Sequence, residues 1–404
     1  MARQHTIYRI LLASIVVAAI GVGAWALLKD DRIEVQGGGF LRDGEAGFVI
    51  TSFAYAVGPD AAEAGTCPNG MSKNVVEIFS ETPEAARRAG EDDEAYGQRL
   101  ETGGQASSQL PDGRNMCMFP AVAPLDPHTR QLLDPDAVAD GINLDGAVSR
   151  SSADIRSRRF DFVSPDGEEG VDNQFWRAVG CNRSYQSDGQ SNVYEIGMYA
   201  GEWGILISLA GVDDLENDDH VRIGIHASAD PLRLSPTRAA LEYATYAWDA
   251  DPALNATTTG RIVDGVLISE PVDVQFHHVT NSMYTVRPLL DARIRATLDA
   301  SGQLNGILGG YTPVEALYDF QFGYRNARNG DGTPAPEARR LQTSNGSARV
   351  LGHTCQGMWQ SLHRLADGHP DDGGSFTSIS TQYRFEARPA FLVAPELDAE
   401  SDDA

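Results

Sequence analysis

The chain reads as a mainly β protein: an antiparallel β-sandwich or jelly-roll-like fold with a few accessory helices, preceded by one N-terminal transmembrane helix. Three observations carry that expectation. An uncharged apolar run extends from Ile10 to Leu28, apolar residues alternate with polar ones through segment after segment from Ile205 onward, and Gly, Asp and Asn turn residues separate those segments.

As a helix the apolar run spans about 28 Å, close to the hydrocarbon thickness of a bilayer. Arg3 and Arg9 precede it, and its far flank, Lys29 to Arg32, is formally neutral. The positive-inside rule therefore puts residues 1–9 in the cytoplasm, makes 10–28 the anchor and places everything after it in the periplasm or outside the cell. Ala24-Trp25-Ala26 offers a signal-peptide cleavage site as the competing reading, but the run is longer than the roughly 7 to 15 residues usual for a signal core. A glycine-rich linker occupies 29–47, a loop-rich N-terminal part of the extracytoplasmic domain 48–159, a β-rich core 160–395, and an acidic disordered tail 396–404.

Phe48 to Tyr55 (FVITSFAY) is the first strand. Thr82, Pro83 and Glu84 read as cap, first position and acidic first turn of a surface helix continuing to Leu100. Little regular pattern follows as far as residue 159. Gln174 to Val179 is a short helix with Asp172 or Asn173 as its cap. Ile205, Ile207 and Leu209 then share one face of a strand, as do Val221, Ile223 and Ile225, opposite Arg222, Gly224 and His226. Val272, Val274 and Phe276 repeat the pattern. Ala292 to Leu298 turns at Ala300-Ser301-Gly302 and returns through Leu304, Gly306 and Leu308 as a hairpin, and Ile379, Thr381, Tyr383 and Phe385 supply a late strand. Arg238 to Trp248 suits helix by composition and strand by its aromatics. In Thr354 to Ala366, Cys355, Met358, Leu362 and Leu365 fall on one helical face.

A formal charge of -25, from 32 basic and 57 acidic residues, would repel a phosphate backbone and argues against a nucleic-acid partner. Four cysteines in an exported chain read as two disulfides, expected as Cys67 with Cys117 and Cys181 with Cys355. The chain has no CxxC, GxSxG or HExxH, so neither thioredoxin-like chemistry nor a familiar hydrolase signature is in view.

The densest polar constellation runs from Phe160 to Cys181, FDFVSPDGEEGVDNQFWRAVGC, with five carboxylates around three glycines. Calcium takes six to eight oxygen ligands from such tightly turning loops, and Asp166, Glu168, Asp172 and Asn173 are the candidate ligands. The string Asp166-Gly-Glu-Glu-Gly-Val-Asp-Asn173 resembles calcium loops of extracellular proteins, a resemblance that implies the same ion. It departs from the EF-hand spacing, and a solvated turn that caps the following helix explains the same residues.

Other candidates are thinner. His277-His278 lie on opposite faces of a strand and cannot chelate one metal together without a bulge. His353, Cys355, Met358, His363 and His369 include soft ligands suited to copper, yet Cys355 is needed for a disulfide. Glu195 and Glu202 near Trp203 and Trp176 could line a sugar groove, while Asn182, Asn255 and Asn345 head formal glycosylation sequons. The expected function is a membrane-anchored extracytoplasmic binding or structural protein of the cell envelope, held to the membrane by its N-terminal helix, with a glycan or protein partner and a stabilising calcium. The alternative is a calcium-assisted envelope hydrolase acting on a polysaccharide or cell-wall substrate.

Overall fold

In chain order the strands are β1 (Glu45–Tyr55), β2 (Phe162–Val163), β3 (Glu169–Val171), β4 (Ile205–Ala210), β5 (Asn217–Ala227), β6 (Ala244–Ala247), β7 (Asn255–Val263), β8 (Val266–Ser269), β9 (Val272–Thr280), β10 (Met283–Leu298), β11 (Leu304–Pro313), β12 (Gly368–Pro370) and β13 (Phe376–Val393). The computed structural model describes residues 39–58, 67–185, 196–299 and 301–395. The apolar run at 10–28 and the tail from 396 lie outside them. Among the described residues no helix is long and apolar enough to cross a membrane.

Eleven of these strands form one sheet, and its path runs β1-β4-β5-β7-β8-β10-β11-β13 before β13 pairs back onto β1. Every pairing on that path is antiparallel. The mainly β class with a few helices is as the alternation led us to expect. In a sandwich the inward faces would meet across two sheets, whereas here the hydrogen-bonded path runs unbroken through eight strands and returns to its start. Strand periodicity reports one buried face per strand, which either arrangement satisfies.

The enclosed space is packed with side chains. Phe48, Ile50, Phe53, Ile207, Ile223, Ile294, Leu308 and Tyr383 belong to one continuous cluster, each at most 1% exposed. Strict alternation from Phe48 would turn Phe53 and Tyr55 outward, but the β1–β13 register shifts between Ile50 and Ser52, and that bulge restores both to the interior. A second irregularity between Leu290 and Arg293 lets β10 pair with β9 in its first half and with β8 and β11 in its second.

The helices pack at the periphery. The Cys355–Leu365 helix buries Cys355, Met358, Leu362 and Leu365 as expected, with the Thr354 side chain accepting from Gly357 N. The helix expected from Thr82 is only a 3-10 turn, Pro83–Ala85. Gly90 adopts a φ of 78°, and the Asp92 side chain caps a new helix, Asp93–Ala106, by accepting from Ala95 N at 2.8 Å. The ambiguous segment resolves as β6, parallel to the end of β13.

Two disulfides form, with the expected pairing exchanged: Cys67 joins Cys181 and Cys117 joins Cys355. Proximity in sequence misleads here because the Asp93–Ala106 helix intervenes between Cys67 and Cys117. The segment after Cys67 folds back onto the end of the Gln174–Val179 helix, where Ser72 N donates to Cys181 O. The peptide at Cys117 lies by the Cys355–Leu365 helix, its carbonyl accepting from the buried Tyr318 hydroxyl.

Candidate functional site

The acidic stretch singled out from the sequence forms a small hairpin, β2–β3, followed by a helix. Its turn closes through Gly167 N donating to Ser164 O, with Gly167 at a φ of 88°. The hairpin tip lies over the outer wall of the barrel and walls one side of a groove of about 940 Å³. Residues 140–142 form another part of the wall, and outward-facing residues of β1, β10, β11 and β13 form the floor.

The floor is polar because inward positions on these strands are apolar and the alternating positions between them face out. Arg295 of β10, Asn305 of β11, and Arg384 and Glu386 of β13 all line it. Arg295 ion-pairs with Glu168 of the hairpin tip, and Arg384 reaches Asp140 at 3.5 Å. Burial pushes the Asp140 carboxyl above the usual carboxylate range, with Arg384 opposing and the nearby Asp166 charge adding to the shift. The amide oxygen of Asn305 is buried and has no hydrogen-bond partner, a cost the fold bears beneath the groove floor.

The four candidate calcium ligands do not converge. Asp166 and Glu168 line the groove. Asp172 turns inward, 4% exposed, where its Oδ2 accepts from Leu144 N at 2.7 Å. Asn173 is the helix cap expected from the sequence: its Oδ1 accepts from Trp176 N at 3.2 Å while its Nδ2 donates to Ala56 O. Among the described residues no group of three or more His, Cys, Asp or Glu side chains is gathered closely enough to hold a metal ion.

Beneath the hairpin lies a buried polar cluster. Asp367 accepts from Ser380 N and Ser380 Oγ, both at 2.7 Å, and the same Oγ accepts from Gln174 N. Arg177, fully buried, donates to Leu132 O, Phe160 O and Gln174 Oε1, with its guanidinium over the rings of Phe160 and Phe162. Burial pushes the carboxyls up, that of Asp172 to about 8, Asp367 to about 7 and Asp161 to about 6, and neighbouring carboxylates add to each shift. These groups hold loop to barrel.

The histidines disperse. His277 meets Asp249 at 3.0 Å, while His278 is buried against Arg287 at 2.6 Å, on opposite faces as the strand period requires. His353 is buried, His363 reaches Glu315 and His369 reaches Asp291, and Cys355 is in a disulfide, so the copper set is not assembled. Trp176 and Trp203 are core residues, 1% and 5% exposed, and form no sugar platform; Glu195 lies outside the described residues. Arg295, Asn305, Arg384 and Glu386 escaped notice in the sequence because outward polar residues on a strand are ordinarily just solvated. Closure of the barrel and its cover of two loops make them a floor.

Comparison with known proteins finds no matching family model, no matching curated protein and no matching solved structure.

Proposed function

We propose that this chain is a membrane-tethered, extracytoplasmic binding protein of the cell envelope that holds a glycan in the groove between the hairpin tip and the barrel wall. The observation that carries the reading is the lining. Sites for apolar small molecules are lined mainly by hydrophobic and aromatic side chains, whereas this groove is lined by carboxylates, guanidinium groups and the amide side chain of Asn305. Such groups donate to and accept from hydroxyls. The two disulfides suit an oxidising compartment, and a net charge of -25 disfavours a polyanionic ligand.

Calorimetry of the full chain against neutral oligosaccharides and soluble cell-wall fragments tests this. Binding that weakens about tenfold in Asn305→Ala and in Glu386→Gln supports it. Absence of binding across the panel, or binding indifferent to both substitutions, would remove it.

The hydrolase alternative draws on one arrangement, the Asp140 and Asp166 carboxyls that both line the groove, with burial raising that of Asp140. Glycoside hydrolysis pairs a protonated with an ionised carboxyl. Reducing ends released in the same titrations, and lost in Asp140→Asn, would favour hydrolysis over binding alone.

A further inference from the structure

A second groove, of about 570 Å³, lies on the outer wall of the barrel and runs across β13, β1, β4 and β5 as far as Thr257 of β7. Ser208 and His226 line it, together with Arg222, Thr257 and Trp248. The register sets Ser208 opposite Gly224 and Leu206 opposite His226 in the β4–β5 ladder, and His226 opposite Asn255 between β5 and β7. Ser208, His226 and Asn255 therefore project from the same face of three adjacent strands.

Their contacts form a directed chain. Ser208 Oγ lies 3.3 Å from His226 Nε2, and His226 Nδ1 lies 3.0 Å from Asn255 Oδ1. The Asn255 amide is oriented from behind, its Nδ2 donating to Asp249 O at 2.7 Å and Asp251 O at 2.8 Å. Both amide hydrogens are thus used, and the oxygen must face the ring. His226 Nδ1 consequently carries the proton and donates it to Asn255, which leaves the Nε2 lone pair facing the Ser208 hydroxyl. The Trp248 ring stacks on the imidazole at 4.9 Å between centroids and holds its plane. Burial lowers the His226 pKa, with the Asn255 hydrogen bond opposing, so the ring is neutral and able to accept a proton at pH 7.

We propose that Ser208 and His226 are the nucleophile and general base of an acyl-transfer site that acts on carboxylic esters, with Asn255 as the residue that positions the base. Nucleophile, base and orienter in hydrogen-bond reach are the arrangement such chemistry requires. Ser208 Oγ attacks the ester carbonyl carbon as its proton passes to His226 Nε2. The carbonyl electron pair moves to oxygen, and the charge that develops there faces a groove whose lining includes Arg222. The carbon–alkoxy bond then breaks, and His226 gives its proton to the departing alcohol. Water repeats the sequence on the acyl-serine, releases the carboxylic acid and restores the Ser208 hydroxyl. The groove is distinct from the one assigned to glycan, and either reading stands without the other.

The full chain is treated with a fluorophosphonate probe and its peptides mapped by mass spectrometry, while hydrolysis of p-nitrophenyl acetate is followed in parallel. Expected are one phosphonyl adduct, on Ser208, and hydrolysis above that of the heat-unfolded chain. Ser208→Ala abolishes both, and His226→Gln lowers kcat at least a hundredfold. Asn255→Ala lowers kcat with KM unchanged, and Asn255→Asp restores part of it. Ser208→Cys covers a failure of the alanine variant to fold: its thiol should react with iodoacetamide at pH 7 at least tenfold faster than in Ser208→Cys/His226→Gln. No adduct, an adduct elsewhere, or equal thiol reactivity in those two variants would overturn the proposal.

Discussion

Ser208 and Gly224 face each other across the β4–β5 ladder, and a Cβ on Gly224 would stand 2.2 Å from Ser208 Oγ and 2.3 Å from His226 Nε2. The missing side chain is the space through which the imidazole crosses from its own position to the neighbouring strand. Gly224→Ala should therefore push the ring off Ser208 and abolish fluorophosphonate labelling. Because the ring is also held by Trp248 and Asn255, overpacking should cost about 1 to 3 kcal/mol in urea unfolding. Labelling at the wild-type rate would show that contact with His226 does not activate Ser208.

The buried carboxyls set the pH dependence of stability. In the folded chain Asp161, Asp172 and Asp367 are raised to about 6, 8 and 7, against about 3.9 for an unfolded aspartate. Between pH 4 and 8 the folded state thus holds protons that the unfolded state has released, so their contribution is fully present below about pH 4 and is lost as pH rises toward 8. Glu315 opposes this only in acid, since its carboxyl, lowered to about 2 first by His363 and then by Arg325, loses its contribution as pH falls below about 4. Buried His278 and His353, lowered by desolvation and His353 to about 4, oppose this trend up to about pH 6.5. Urea unfolding at fixed salt should therefore give lower stability at pH 8 than at pH 6.5, with a shallower slope in Asp172→Asn. Equal stability at the two pH values would contradict the assignment.

The β elements were legible because their inward positions are apolar over long runs. Ile205 to Leu209, Val221 to Ile225 and the hairpin from Ala292 to Leu308 all lie within strands at those positions. What alternation cannot carry is which strand pairs with which, so the return of β13 onto β1 was hidden. Asn173 was readable as a cap because capping is local. Asp172, one residue earlier, was not readable as buried, since its burial depends on Leu144 and Gln382 from distant parts of the chain. Ser208, His226 and Asn255 carry no sequence signal at all, being joined only by register, and the one mark on Asn255 was an unrelated sequon.

The disulfide exchange has a direct chemical readout. Peptide mapping without reduction should return Cys67 linked to Cys181 and Cys117 linked to Cys355. The second bridge joins positions 238 apart, so on the chain-entropy model Cys117→Ser/Cys355→Ser should lose about 5 kcal/mol of unfolding free energy. A Cys67–Cys117 peptide would restore the pairing expected from the sequence and displace the loop arrangement described above.

Arg177 tests whether the cluster under the hairpin is held by its cation. Replacing it with methionine keeps the apolar stem but leaves Leu132 O and Gln174 Oε1 without their guanidinium donor; Phe160 O is still met by Gln174 Nε2 at 3.0 Å. Two buried acceptors orphaned, at about 1 to 3 kcal/mol each, together with lost contact on the Phe160 and Phe162 rings, predict a cost of about 3 kcal/mol or more. Lysine should recover only part of it, because one ammonium cannot reproduce the planar fork that reaches three acceptors. The two effects are linked through Asp161, whose carboxyl Arg177 draws downward against burial. Without the cation that carboxyl should hold its proton to a higher pH, so Arg177→Met should also lose stability more steeply between pH 6 and 8 than the wild type. A loss that is uniform across pH would leave Arg177 a packing residue with no electrostatic part in the cluster.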